Sequence, residues 1–317
     1  MPPTPTPTTW IIGSAGQLGS ALRESAHAPS EIRSLTSADI DLTDPASVQR
    51  ALAGLRPGDI VLNTAAYTDV DGAESDAERA AAVNAGGPEA LARATATAGA
   101  WLVHVSTDYV FGGAAAGRAS DGAPVRSTPY EPADVGRHNP ETVYGATKLD
   151  GERRALAADP RTTVVRTAWV YTGRPGDRDF VGTMRRLENE RDEITVVDDQ
   201  TGSPTYSRDL ADGLWELVAR GPRPEVAGTV LHATNAGEVT WFDVARAVFA
   251  DVGADPERVR PCGTDQFPRP APRPAYSVLS PASWTAAGLH PLRDWRTALH
   301  TAVTAEGAPG APITPAE

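Results

Sequence analysis

Short apolar runs and stretches of helical spacing take turns along the first half of this chain. Trp10-Ile11-Ile12 is the first run, and apolar and small residues then recur at helical spacing through Leu22. Glu31 to Thr36, Asp59 to Asn63, Trp101 to Val105 and Thr163 to Tyr171 read as further strands. A long helix from Thr68 to Ala98 and another opening at Tyr144 separate them. Apolar runs this short, bounded by turn residues, fit strands buried on both faces with helices as their crossovers. The alternation predicts a doubly wound parallel α/β sheet. Beyond residue 170 the pattern is less regular. Helices are expected at Phe180–Glu190, Asp209–Ala219 and from Thr240 to Val252, with a last one around Trp295 and strands at Ile194–Val197 and Gly228–Ala233. These predict a smaller C-terminal α/β lobe. Gly113 to Asn139 has no period and reads as a long loop, of the kind that is functional or mobile.

Polar residues cluster where the strands end. The first strand runs into Gly13-Ser14-Ala15-Gly16-Gln17-Leu18-Gly19, with glycines at i, i+3 and i+6. Glycines let backbone approach a pyrophosphate, and the helix that follows offers free N–H groups to it. A plain tight turn is the alternative. The reading makes residues 10–168 a Rossmann-type dinucleotide-binding domain, joined by 194–228, with 169–193 and 229–305 as the substrate lobe. Residues 1–9 and 306–317 are expected to be flexible tails, the first lacking the features of a signal peptide. Leu35-Thr36-Ser37 stand where an acid would bind a ribose 2′-hydroxyl. NADPH is therefore permitted, with Arg33 or a neighbouring arginine as helper, and NADH stays open. Small residues at Ala65 and Ala66 before Tyr67 let a loop lie against a flat cofactor. Thr107 and Asp108 sit at the sheet edge where ligands bind, one suited to a substrate carbonyl and the other to a sugar hydroxyl. Trp169 could stack on a sugar or base, or simply pack in a core.

Composition singles out one pair. Of 29 basic residues only Lys148 is lysine, and it stands four positions after Tyr144. On a helix the two share a face. An ammonium about 4 Å from a phenol favours the phenolate by about 4 kcal/mol at an effective dielectric near 20, enough to bring its titration toward neutrality. Such a tyrosine could exchange a proton with a substrate. A surface i,i+4 pair is the other reading.

The net charge of −12 argues against nucleic acid and anionic membranes as partners. One cysteine, Cys262, excludes an internal disulfide and a cysteine-built metal cluster. No apolar stretch approaches membrane-spanning length, and a cytoplasmic protein is expected.

The glycine turn, Ser106-Thr107-Asp108 after a strand, Tyr144…Lys148 and a C-terminal lobe together resemble the extended short-chain dehydrogenase/reductases. Within these, Leu62–Asp71, Val105–Phe111, Arg166–Tyr171, Asp199–Thr205 and Arg273-Pro274 with Ser277 resemble the dTDP-4-dehydrorhamnose reductases, over about residues 10 to 300. The resemblance implies reduction of a dTDP-4-keto sugar to dTDP-L-rhamnose with NADPH or NADH. Tyr144 would protonate the alkoxide, and Lys148 would hold the nicotinamide ribose and bias the tyrosine toward ionisation. Thr107 would polarise the carbonyl, and Asp108 and Trp169 would grip the sugar. Gly13, Gly16, Gln17, Leu18 and Gly19 would carry the pyrophosphate; Asp41, Leu42, Ala65, Ala66 and Tyr67 would contact adenine and ribose. Some relatives carry magnesium at a dimer contact; no magnesium ligands are assigned here, and a homodimer is left open. The 37 positions from Thr107 to Tyr144 exceed the usual gap of about two dozen, which places an insertion in 113–139 at the rim of the sugar site, or on the surface as a disordered segment. Rival readings are a 4-ketoreductase for another dTDP-deoxysugar and a catalytically silent cofactor-binding subunit.

Overall fold

The structure, a computed structural model, describes residues 6–112, 126–137 and 139–305. Five strands follow one another as expected: β1 (Thr9–Ile12), β2 (Ile32–Leu35), β3 (Ile60–Asn63), β4 (Trp101–Thr107) and β5 (Thr163–Thr167). Seven more follow among the described residues: β6 (Val170–Tyr171), β7 (Ile194–Val197), β8 (Thr201–Gly202), β9 (Thr205–Tyr206), β10 (Val230–His232), β11 (Val239–Thr240) and β12 (Val259–Cys262). The main sheet has six parallel strands in the order β10-β5-β4-β3-β1-β2, so the chain winds outward in both directions from β1. Alternate side chains of each strand enter different cores. Ile11, Leu62 and Val103 pack on one face with Leu22 and Leu214, while Trp10, Ile12, Val61 and Leu102 pack on the other with Leu91. Burying one such side chain contributes about 2 kcal/mol.

Two strands sit on the opposite side of the predicted domain division. β7 was expected with the dinucleotide half, but pairs with β12 in a separate sheet, and its Ile194 and Val196 enter the lobe's core beside Val244 and Phe249. β10 was expected in the lobe and instead closes the main sheet against β5. A four-residue apolar run matches either sheet equally well, so the partner decides.

The stretch 68–98 is not one helix. It forms Val70–Ala73, Ala77–Ala81, a π-helical turn Ala82–Gly86 and Gly87–Ala98. Within the π-turn, Asn84 accepts from the Tyr67 N–H at 2.8 Å and donates to the Tyr67 carbonyl at 3.1 Å. That amide therefore holds the loop after β3 in place, in keeping with the placing of such turns beside functional sites. Similarly, the predicted strand 163–171 breaks at Trp169, whose φ of +49° turns Val170–Tyr171 away to pair with β9.

The N-terminal tail ends earlier than expected. Thr8 is buried, and its N–H donates to Asp59 Oδ1 at 2.8 Å. Part of the expected loop is ordered too: Tyr130 stacks on Phe111 at 4.3 Å, and its N–H donates to the Val278 carbonyl. Residues 1–5, 113–125, 138 and 306–317 lie outside the described residues.

Candidate active site

The end of β1 makes the first wall of the site. Gly13 has φ +83°, and a Cβ there would lie 2.7 Å from the Ala65 backbone nitrogen, so the turn and the β3 loop can meet only through glycine. The Gln17–Glu24 helix starts at Gly16 without a side-chain cap. Its first N–H groups thus remain available to an anion. Gln17 reaches over to donate to Asp179 Oδ2 at 2.9 Å, tying this turn to the lobe. A cleft of about 1650 Å³ opens from here and is lined by Gly13, Gly16, Gln17, Leu18, Asp41, Leu42, Ala65, Ala66 and Tyr67. Gly19 does not line it; it packs the helix against the turn, where a Cβ would come within 2.7 Å of Ser14 Cα.

At the far end the same cleft meets Thr107, Asp108, Tyr144, Lys148 and Trp169. Thr142 caps the Val143–Ala158 helix, its hydroxyl accepting from the Gly145 N–H at 3.0 Å, which presents Tyr144 in the first turn. Gly145 lets that turn press on the Tyr109 carbonyl, and Tyr109 meets the Tyr144 ring edge-on at 5.5 Å. Lys148 is almost fully buried and donates to the Val105 carbonyl at 2.7 Å.

The expected electrostatic effect of lysine on tyrosine is not found. Burial pushes the Tyr144 phenol up to about 12; the Thr107 hydroxyl facing it works the other way and Asp108 adds to the rise. The ammonium is aimed at the β4 backbone rather than at the phenol. Burial also brings Lys148 down to about 8, against the pull of Glu152. The pair therefore shares a face and a cleft, as the spacing requires, while Thr107 is the group that favours the phenolate.

Asp108 is buried, and this raises its carboxyl to about 6 despite the Ser277 and Thr107 hydroxyls beside it. Thr107 donates to Oδ1 at 3.0 Å, while Oδ2 has no partner. Ser106 Oγ and Thr167 Oγ1 are likewise buried without partners. Buried polar atoms left unpaired cost stability and mark a place where a polar ligand would complete the set.

Trp169 lies flat on Trp241, ring centroids 3.5 Å apart, with Phe180 tilted against the second indole. Gly202 sits under Trp169, where any side chain would collide. Trp241, Phe180 and Arg208 line the cleft without having been expected there. For Trp241 the local signal is the cap at Thr240, which places an aromatic at the first position of a helix. Arg273 forms two hydrogen bonds to Asp71, at 3.0 and 2.8 Å, and this anchors the segment that brings Ser277 to the cleft.

Arg33 is not at the ribose end of the cleft; its guanidinium lies over the Trp10 ring. Arg79 lines that end instead, together with Thr36 and Ser37. The open helix terminus, the glycine turn and the flat Ala65–Tyr67 loop fit a dinucleotide. Among the described residues no helix is long and apolar enough to cross a membrane.

Residues 8–307 match the model of a family described as the RmlD substrate binding domain. The chain belongs to that family. A relative within the RmlD family, the dTDP-4-dehydrorhamnose reductase of Mycobacterium tuberculosis (strain CDC 1551 / Oshkosh), is 54% identical over 93% of this chain and 92% of its own. The probable dTDP-4,6-dihydroxy-2-methyloxan-3-one 4-ketoreductase of Streptomyces antibioticus is 49% identical over 92% of this chain and 94% of its own. Among solved structures, the Bacillus anthracis dTDP-4-dehydrorhamnose reductase in complex with NADP superposes with a TM-score of 0.80 at 33% identity, covering 93% of this chain and 98% of that one.

Proposed function

We propose that this chain is a cytoplasmic, NADPH-dependent dTDP-4-dehydrorhamnose reductase that converts the C4 ketone of dTDP-4-dehydro-6-deoxy-L-mannose to the alcohol of dTDP-L-rhamnose. The observation that carries this reading is the meeting of Tyr144, Lys148, Thr107 and Asp108 at one end of a cleft whose other end is a glycine turn. NADPH, when bound, supplies the hydride. The six-stranded half holds it: Gly13, Gly16 and the Gln17 turn take the pyrophosphate, and Asp41, Leu42 and the Ala65–Tyr67 loop take the adenosine. Thr107 turns its hydroxyl from Asp108 Oδ1 to the ketone oxygen, and Tyr144 gives its phenolic proton to that oxygen as the alkoxide forms. A phenol held near pH 12 keeps that proton until a stronger base appears, and an alkoxide is one. Asp108 accepts from a sugar hydroxyl with its unpartnered oxygen. The Trp169–Trp241 stack forms the wall against the sugar or base.

The test follows NADPH and NADH oxidation with freshly made keto sugar and identifies the product by chromatography. Formation of dTDP-L-rhamnose is expected; turnover giving a different deoxysugar, or none, overturns the assignment. The 49% identical Streptomyces antibioticus ketoreductase supports a second reading, 4-ketoreduction of another dTDP-deoxysugar. The same chromatography separates the two.

A further inference from the structure

Behind the cleft wall runs a line of buried polar groups that the reaction above does not use. Asn63 on β3 and His104 on β4 are register partners, and both side chains are 0% exposed. The Ala65 N–H donates to Asn63 Oδ1 at 3.2 Å. This occupies the amide oxygen and leaves Nδ2 facing His104 Nδ1 at 3.0 Å. An amide nitrogen can only donate, so Nδ1 accepts and carries no hydrogen. Burial and the Lys148 charge hold the imidazole well below its ordinary range, hence neutral. Its one proton then sits on Nε2. Nε2 lies 3.5 Å from Lys148 Nζ, beyond the usual 2.9–3.0 Å of an N–H hydrogen bond and suited to two donors that face each other.

We propose that His104 is a positioning residue: its tautomer, set by Asn63, turns an N–H toward Lys148 and keeps that ammonium ready to part with a proton. The other groups around the lysine do not undo this. Tyr144 and Glu152 flank it on its own helix, and Glu152 alone favours the charged form. Arg166 on β5 already holds Glu152 through two hydrogen bonds, at 2.9 and 2.7 Å. From β4 come the Val105 carbonyl and the imidazole. The activity readout rests on the proposed reaction, whereas the tautomer does not.

Because Lys148 is the only lysine, protein grown on isotope-labelled lysine gives a single side-chain NMR signal, and its titration needs no assignment. The expected wild-type midpoint lies well below that of free lysine. His104→Gln lets a carbonyl turn to the ammonium and should raise the midpoint by about one pH unit, moving the alkaline limb of the kcat profile with it. Nitrogen-15 spectra of labelled histidine, assigned through bonds, should show His104 protonated at Nε2 only. A proton on Nδ1, or an unmoved lysine midpoint in H104Q, overturns the proposal. If H104Q does not fold, H104N serves for the titration, and the wild-type tautomer decides by itself. An inactive protein with the expected tautomer and midpoint would count against the proposed reaction and not against this arrangement.

Discussion

At the residue scale, the site is built from groups held at a cost. Asp108 is the clearest. Its folded pKa, near 6, lies above the ordinary 3.8, so the folded state binds the proton more tightly. The contribution is present below pH 4 and lost as pH rises through 6, leaving a penalty of about 3 kcal/mol at neutral pH. Asp108→Asn should therefore stabilise the protein at pH 7 and flatten its stability between pH 4 and 6, as read by thermal unfolding at each pH. The same variant should raise KM for the keto sugar at least tenfold. A lower Tm at pH 7 would contradict this. Tyr144→Phe removes the phenolic hydroxyl and is expected to cut kcat by about 10²-fold or more with unchanged NADPH affinity, measured by fluorescence titration.

At the element scale, what could be read in advance was whatever depends on near neighbours in the chain. The Gly13–Gly19 turn and the Tyr144…Lys148 spacing are local, and the cleft contains both. The direction of the lysine's effect was not local. It depends on the Val105 carbonyl and His104, which only strand pairing brings to Nζ. Trp241 reaches Trp169 across 72 positions, and Arg273 reaches Asp71 across 202; neither distance leaves a periodic trace. The swapped places of β7 and β10 have the same origin. The turn itself makes a sharp prediction. Gly13→Ala forces a side chain onto Ala65 at a φ that strains it, for a cost of about 1–3 kcal/mol. NADPH affinity should fall at least tenfold, and a variant with native affinity would show that the turn can open.

At the scale of the whole molecule, the cores of the sheet and of the lobe share one chain path. The core holding Ile11 extends to Leu292, so it needs a segment that lies between Val259 and Ala298 of the lobe's core. Arg293 binds Asp209 through two hydrogen bonds at 2.8 Å, and Asn235 joins them. A single calorimetric transition is expected in place of two. The Arg166–Glu152 pair is 2–3% exposed, beneath the active site, and Arg166 also donates to the Pro132 carbonyl. Glu152→Gln leaves a buried guanidinium uncompensated and should lower stability by about 3–5 kcal/mol, measured by urea denaturation. A loss under 1 kcal/mol would mean that water reaches the arginine.

The seclusion of Lys148 also makes the protein its own gauge of integrity. Acylating reagents that seek primary amines find no side-chain target on the closed molecule, since the lone candidate is 2% exposed. Each acyl group gained at that position records one excursion in which the β4 strand and the Val143–Ala158 helix came apart. Intact-mass spectra taken over time would then count such excursions directly, and a dinucleotide that braces the cleft should slow the count.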